Sequence, residues 1–373
     1  MTFAIVAGGG TAGHLLPGLA VAEALVARGH ERSSIHFVGS DRGVEAELVP
    51  AAGFGLDELP GRGLERRVTL RNVRAAMGLV RATARGVGLV RRHRPAVVIV
   101  LGGHASFACG VGAVLARRPL VLVEQNVRAG AVNRVLRRFA TASAVSFEGT
   151  DLPKATVTGN PLRPEIAAAA TAKDRAAACA ELGLPADRIV IAAFSGSLGS
   201  RRINEAVRGL VERWSDRSDV AVRHVVGKRD WPNYSGLAAG VPGPGRLLYR
   251  PVEYENRMHL LLQAADVAVT RAGGSVAELA ALGVPAVLVP LPIAPRDHQT
   301  ANGMAVAASG GAVVVADGDL DVDRLAAELE AIVDDPDHRA AMAAAMRRGA
   351  RLDAADRVAA LVESVARPAL GTG

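Results

Sequence analysis

A chain of 373 residues that is 50% apolar, 22% charged and 3% aromatic is long enough for two ordinary domains and too apolar for a disordered linker. Its two cysteines, Cys109 and Cys179, lie too far apart for a zinc ribbon and are too few for a disulfide framework, which fits a reducing, cytoplasmic setting. The opening MTFAIVAGGG has no basic stretch before its apolar run, and no run approaches the roughly 20 apolar residues of a membrane span, so neither export nor a spanning helix is expected.

The net charge of +7 is unevenly spread. Residues 1–163 carry 21 basic against 11 acidic side chains, leaving 23 against 26 for the remainder. The excess concentrates between Arg62 and Arg94, where ten arginines face one acid, Glu65. Such a run reads as a solvated helix face, or as a surface for anionic membrane or nucleic acid. With few aromatics there is no stacking platform for single strands, which disfavours nucleic acid.

Short apolar runs alternate with helical stretches along the chain. The first half offers FAIV (3–6), SIHFVG (34–39), AVVIVL (96–101), LVLVE (120–124) and SAVSF (143–147). The second offers RIVIAAF (188–194), AVRHVVG (221–227), LLYRPV (247–252), VAVTR (267–271), AVLVP (286–290) and GAVVVA (311–316). Continuous apolar strands separated by helices predict parallel sheets covered on both faces, hence an α/β chain of two Rossmann-like units. The Pro/Gly-rich GNPLRP marks a junction, giving 1–163, 164–340 and an Ala-rich helical tail from 341 to 373.

Glycine-rich turns follow several of these strands. Gly8-Gly9-Gly10-Thr11-Ala12-Gly13-His14 precedes a helix carrying Pro17 in its first turns. Such a turn lets backbone approach a ligand, and the helix offers N–H groups to an anion. It formally satisfies GxGxxG, with Asp41 available as a ribose-binding acid, which leaves a dinucleotide-dependent oxidoreductase as a distant reading. Leu101-Gly102-Gly103-His104 forms a second turn and Ser195-Gly196-Ser197-Leu198-Gly199-Ser200 a third. Turns of this kind heading both halves suggest two anionic ligands across a cleft. His14, where loop meets helix, is placed to take a proton from an attacking hydroxyl, or only to cap the loop. Apart from it the histidines show no metal-ligand spacing, and His104 and His298 read as loop residues within reach of ligand.

In the second half, Arg271-Ala-Gly-Gly-Ser-Val-Ala-Glu278 opens another helix. Glu278 there either accepts bonds from adjacent ribose hydroxyls or is simply an acid in a first turn. Asp297-His-Gln299-Thr-Ala-Asn302 is a polar set suited to a hydroxyl-rich ligand. Asp317-Gly-Asp319 and Asp321-Val-Asp323 resemble metal-binding pairs but read better as helix caps.

Together AGGGTAGHLLPGLAVAEAL, LGGHASFACG, EQN (124–126), GNPLR (159–163), SGSLGSRRIN and RAGGSVAELAALGVPAVLVPLP followed by DHQTAN resemble, in order and spacing, the MurG family of peptidoglycan N-acetylglucosaminyltransferases. The resemblance implies a GT-B fold: an acceptor and membrane-associating domain, a UDP-sugar domain facing it across a cleft, and a C-terminal helix returning to the first. It implies inverting transfer of N-acetylglucosamine from UDP-N-acetylglucosamine to the C4 hydroxyl of undecaprenyl-diphosphate-linked N-acetylmuramyl pentapeptide, at the cytoplasmic face of the membrane.

By the same resemblance His14 is the catalytic base, and Thr11, Ala12 and Gly13 border both substrates. Gly273, Gly274, Ser275, Val276 and Ala277 at the helix start, with Ser197, hold the donor diphosphate. Arg163 neutralises the departing UDP, and Glu278 binds the ribose. Asn126 and Gln299 contact the transferred sugar, and the backbone near Glu255 pairs with uracil. No cofactor or metal is expected, nor any nucleic-acid partner. The basic run then reads as a contact with anionic lipid, with Leu64, Val68, Leu70, Met77, Leu79 and Val80 inserting shallowly. His104, where the family more often has tyrosine, and Ser195, in place of a glycine, leave open a related transferase with another lipid or natural-product acceptor. A UDP-N-acetylglucosamine 2-epimerase would share the architecture and the donor.

Overall fold

The computed structural model describes the chain except residues 10–11, 42–43, 61–69, 238–244 and 368–373, and the side chains of 12, 70–77 and 79. Two compact units emerge, one of residues 1–163 with 351–373 and one of residues 164–350.

The first unit runs β1 (Ala4–Ala7), α1 (Ala12–Ala27), β2 (Ile35–Ser40), α2 (Glu45–Ala51), β3 (Gly55–Leu59), α3 (Leu70–His93), β4 (Val97–Val100), α4 (Gly103–Leu115), β5 (Leu120–Glu124), α5 (Ala131–Leu136), β6 (Ala142–Val145) and β7 (Ala155–Val157). All pairings are parallel, in the order β3-β2-β1-β4-β5-β6-β7. Strand alternation divides the apolar residues between two faces. Ile5, Val98, Val100, Leu120 and Leu122 meet Ala82, Val90, Ala108 and Leu136 from α3, α4 and α5. Val6, Ile99, Val121 and Val123 meet Leu15, Val21 and Leu25 of α1, together with Val358, Ala359 and Val362.

Those last three residues belong to the terminal helix Ala354–Val365, which packs on α1 and returns the chain end to the first unit. The hairpin of α3 and α4 is unusually close: a Cβ on Gly86 would lie 2.7 Å from the Ala108 methyl, and one on Gly112 would lie 2.9 Å from Val90 Cγ2.

The second unit runs α6 (Pro164–Thr171), α7 (Arg175–Leu182), β8 (Ile189–Phe194), α8 (Arg201–Arg213), β9 (Val220–Val225), β10 (Leu248–Val252), α9 (Met258–Ala264), β11 (Val267–Thr270), α10 (Ser275–Leu282), β12 (Ala286–Leu288), α11 (His298–Ala308), β13 (Ala312–Val314), α12 (Val322–Val333) and α13 (Pro336–Arg348); the terminal helix of the first unit is α14. Its parallel sheet has the order β10-β9-β8-β11-β12-β13, the same winding as the first unit. Its core joins Ile191, Val222, Val269 and Val287 to Ile203, Leu210, Leu325 and Leu329 of α8 and α12. Helix α13 spans the expected tail boundary at 341 and packs on α10 and α12, so the terminal segment leaves the second unit only at Arg351.

Two strands go beyond the expected set. β3 carries Asp57 and Glu58 and is only partly covered, and β7 is three residues long and largely exposed. Both lie at sheet edges, where one strand neighbour is missing and a continuous apolar run is not required.

Candidate functional site

In an open parallel sheet, ligands bind beyond the carboxyl ends of the strands where the winding reverses. That point lies between β1 and β4 in the first unit and between β8 and β11 in the second. The first and second glycine turns follow β1 and β4, the third follows β8, and the segment from Arg271 follows β11. Sequence-predicted turns thus occupy both switch points.

In the first unit the two turns are packed on one another. Gly103 has φ +86, and a Cβ there would sit 2.6 Å from the Gly9 carbonyl; Gly102 has φ +117, and a Cβ there would sit 3.0 Å from His14 Nε2. Only glycine meets both demands at each position. Ser106, fully buried, ties the turns together by donating to the Ala7 carbonyl (2.5 Å) and accepting from the Gly102 N–H (2.9 Å). His14 is thereby seated, half-buried, in the first turn of α1 and against the start of α4. Ala12 begins α1 and Gly13 is exposed, whereas Thr11 lies outside the described residues.

Glu124, at the end of β5 and in the sequence simply the first residue of EQN, organises the whole following loop. It is 4% exposed. Its Oε1 accepts from the N–H groups of Gln125 and Asn126 (both 3.1 Å) and from Asn126 Nδ2 (2.9 Å). Its Oε2 accepts from the Gly130 N–H and Asn133 Nδ2 (both 2.9 Å). The available signal was an acid ending an otherwise apolar strand beside two amide residues. Asn126, the predicted sugar contact, owes its position to this carboxylate. Arg163 ends the unit's first segment, half-buried.

In the second unit Ser197 and Leu198 are exposed at the tip of the third turn. Gly199, φ +76, rests on the neighbouring 226–227 segment so closely that a Cβ would fall 2.0 Å from the Val226 carbonyl. A buried network fixes that segment: Asn204 Nδ2 donates to the Val226 carbonyl and to Asp230 Oδ2 (both 3.0 Å). Because this amide nitrogen donates, Asn204 Oδ1 must accept, so His224 carries its proton on Nε2 (3.0 Å) and Nδ1 accepts from the Tyr249 hydroxyl (2.9 Å). Burial pushes the His224 imidazole down to about 3.

Gln299 and Asn302, on α11, brace the turn that starts α10. Asn302 Nδ2 donates to the Ala272 carbonyl (3.1 Å). Gln299 accepts from the Leu291 N–H (2.9 Å), and its Nε2 lies 3.8 Å from where a Gly273 Cβ would stand. The DHQTAN and RAGGS motifs therefore form one structure. Gly273, Gly274, Ser275, Ala277 and Glu278 retain exposure, whereas the Val276 side chain is buried, leaving Val276 only its backbone to offer a ligand.

Arg271 is committed to structure. It donates to Ser200 Oγ (2.6 Å), the N-cap of α8, and to the Val289 and Pro290 carbonyls, and pairs with Asp317. Glu255, 5% exposed, is bound by Arg223 (2.6 Å) and by the Arg257 N–H (3.1 Å). Burial raises its carboxyl, but Arg223 and the Arg257 N–H outweigh burial and hold it below the usual range. Its side chain is thus spent on shaping the loop. Asp321 caps α12 by accepting from the Arg324 N–H (2.7 Å), as expected of a cap. His104 and His298, read as loop residues, instead lie in the first turns of α4 and α11.

Comparison with known proteins gives two domain matches: the glycosyltransferase family 28 N-terminal domain over residues 4–145 and the family 28 C-terminal domain over residues 190–358. Among similar proteins, the UDP-N-acetylglucosamine–N-acetylmuramyl-(pentapeptide) pyrophosphoryl-undecaprenol N-acetylglucosamine transferase of Clavibacter michiganensis is 39% identical over 99% of this chain and 98% of its own. The protein of that name from Desulforudis audaxviator is 34% identical over 97% and 98%. Among solved structures, Acinetobacter baumannii MurG superposes with a TM-score of 0.74 at 24% identity, covering 97% of this chain and 99% of that one. A Neisseria meningitidis UDP-GlcNAc 2-epimerase superposes with 0.70 at 13% identity, covering 98% and 100%, a likeness of fold alone.

Proposed function

The chain belongs to glycosyltransferase family 28, among the MurG N-acetylglucosamine transferases, and from that premise we propose how its own residues carry out the reaction. The enzyme transfers N-acetylglucosamine from UDP-N-acetylglucosamine to the C4 hydroxyl of undecaprenyl-diphosphate-linked N-acetylmuramyl pentapeptide, with inversion. One observation carries the assignment of residues: in each unit both glycine-rich turns flank the point where strand order reverses.

The C4 oxygen attacks the anomeric carbon, the bond from that carbon to the diphosphate oxygen breaks, and UDP leaves with the electron pair. His14 takes the hydroxyl proton, its ring seated by Gly102. Negative charge grows on the terminal phosphate as the bond breaks, so groups already aimed there favour the transition state over the ground state. These are the 273–277 helix start, Ser197 and Arg163. Glu278 accepts from the ribose hydroxyls, the backbone near Glu255 meets uracil, and Gln299 and Asn126 hold the sugar. Ala12 and Gly13, with Thr11, border both substrates.

The membrane surface is part of the same reading. Among the described residues no helix is long and apolar enough to cross a bilayer. Arg81, Arg85, Arg91, Arg92 and Arg94 are exposed along and just after α3, with Val80 69% exposed beside them. Leu115, at the end of α4, and Phe139, just after α5, are exposed as well. Each such cation adds on the order of 1 kcal/mol of attraction to an anionic leaflet. Of the other proposed inserting residues, Leu64 and Val68, like the arginines from 62 to 67, and the side chains of Leu70, Met77 and Leu79 fall outside the described residues.

The test is UDP release by purified protein, with and without the lipid-linked acceptor in anionic vesicles, the product identified by mass. Glu278→Ala should weaken UDP binding, and His14→Ala should lower turnover while leaving UDP binding intact. Full turnover in His14→Ala would remove the proposed base.

A further inference from the structure

The histidines' spacing along the chain shows no metal motif, but the fold assembles one from three elements. His36 lies on β2, Asp57 on the edge strand β3 and His93 at the last residue of α3. His36 Nε2 stands 2.8 Å from Asp57 Oδ2, and His93 Nε2 stands 3.2 Å from the same oxygen. The three atoms lie within 4.8 Å of one another. The imidazoles are stacked, 4.3 Å between centroids, so both rings present the same nitrogen to one carboxylate. We propose that His36, Asp57 and His93 form a binding site for a divalent transition metal of the zinc class, separate from the sugar-transfer site.

The donor set is two neutral-nitrogen ligands and one carboxylate, the combination that suits zinc with a fourth position for water. Two ligands at about 2.0–2.1 Å and a tetrahedral angle stand roughly 3.3 Å apart, close to the two nitrogen–oxygen separations here. His93 Nδ1 faces Thr2 Oγ1 at 3.3 Å, the outer hydrogen bond that orients a ligating imidazole. Gly55 leaves room for the His36 ring, because a Cβ there would stand 2.7 Å from His36 Nδ1. The charged neighbour opposing a cation is Arg92, whose charge acts on His36 and whose side chain is exposed.

The location gives the site a meaning. His36 is the second residue of its strand, roughly 13 Å along β2 from the carboxyl edge where the glycine turns lie, so a metal there takes no part in the transfer. It would instead join the C-terminal end of the arginine-rich helix α3 to the two outer strands of its sheet. Binding would stabilise that end of the first unit in proportion to metal concentration.

The experiment is titration of tag-free, full-length protein with Co²⁺, followed by displacement with Zn²⁺. One equivalent should give visible d–d absorption of a low-symmetry site, and Zn²⁺ should abolish it and raise Tm. His93→Gln and Asp57→Asn should each weaken Co²⁺ binding by at least about tenfold, the scale on which lost metal-site partners act. His30→Gln, at a His–carboxylate pair elsewhere in the unit (His30 Nε2 to Glu363 Oε1, 3.0 Å), should leave it unchanged. No Co²⁺ binding, or binding unaltered in both cluster variants, overturns the proposal. If those variants fail to fold, X-ray absorption of the zinc-loaded wild type decides: two imidazole ligands support the site, and any other count rejects it.

Discussion

Glu124 offers the sharpest test of how the loop carrying Asn126, proposed to face the sugar, is built. Replacing it by glutamine keeps its shape and exchanges one carboxylate oxygen for an NH2 group. The orientation that costs least leaves the carbonyl oxygen with its three donors, on Gln125 and Asn126, and turns the new NH2 toward the Gly130 N–H and Asn133 Nδ2. Two donors then lose their acceptor. Rotating the Asn133 amide brings no relief, because its Nδ2 also donates to the Val123 carbonyl (3.1 Å). At roughly 1–3 kcal/mol for each buried group left unpaired, Glu124→Gln should destabilise the first unit by about 3 kcal/mol, and Glu124→Ala by more. Both tryptophans, Trp214 and Trp231, belong to the second unit, so urea unfolding followed by fluorescence reports that unit, while far-UV circular dichroism reports both. The prediction is an earlier dichroism transition and a raised KM for the lipid-linked acceptor, with affinity for UDP unchanged. A glutamine variant within about 0.5 kcal/mol of the wild type would refute the account of Glu124 as an ionised acceptor for five donors.

Two further outcomes follow from the turns and the buried network. Gly102→Ala places a methyl group 3.0 Å from His14 Nε2 at a φ of +117. kcat should fall by about tenfold to a hundredfold, as misplacement of the proposed base implies, while UDP affinity by calorimetry stays unchanged. His224 is neutral in the folded state with its pKa held at about 3, whereas in the unfolded chain it titrates near 6.5. The unfolded state therefore takes up a proton first as pH falls. The stabilisation is complete above about pH 6.5 and is lost progressively below it, amounting to about 2 kcal/mol by pH 5. Denaturation by tryptophan fluorescence should show that slope between pH 6.5 and 5, and His224→Gln should flatten it.

How much was readable in advance depended on what each residue had to satisfy locally. The central strands were legible because both faces are covered, which forces unbroken runs such as VVIV and IVIAAF. β3 and β7 were not, since an edge strand can carry GLDEL or three exposed residues and still pair. The glycine turns were legible as turns because positive φ selects for glycine. Gly227 was overlooked because its requirement comes from contact with Gly199, a constraint between distant segments. Glu124 and the His36–Asp57–His93 cluster were hidden for the same reason, each defined by partners that only folding brings together. Arg271 and Glu255 show the converse: polar residues inside well-read motifs whose charges are consumed in supporting the loops.

The return of α14 to the first unit has a consequence for biosynthesis. Residues 164–350 form a continuous stretch, whereas the first unit needs Val358, Ala359 and Val362 to finish one face of its core. On the ribosome the segment made second can therefore close first, while the segment made first waits for residues 354–365 to cover Leu15, Val21 and Leu25. This inverts the usual N-terminal-first order of domain folding. A chain truncated after residue 350 should accordingly yield a protease-resistant 164–350 fragment beside a protease-sensitive first unit.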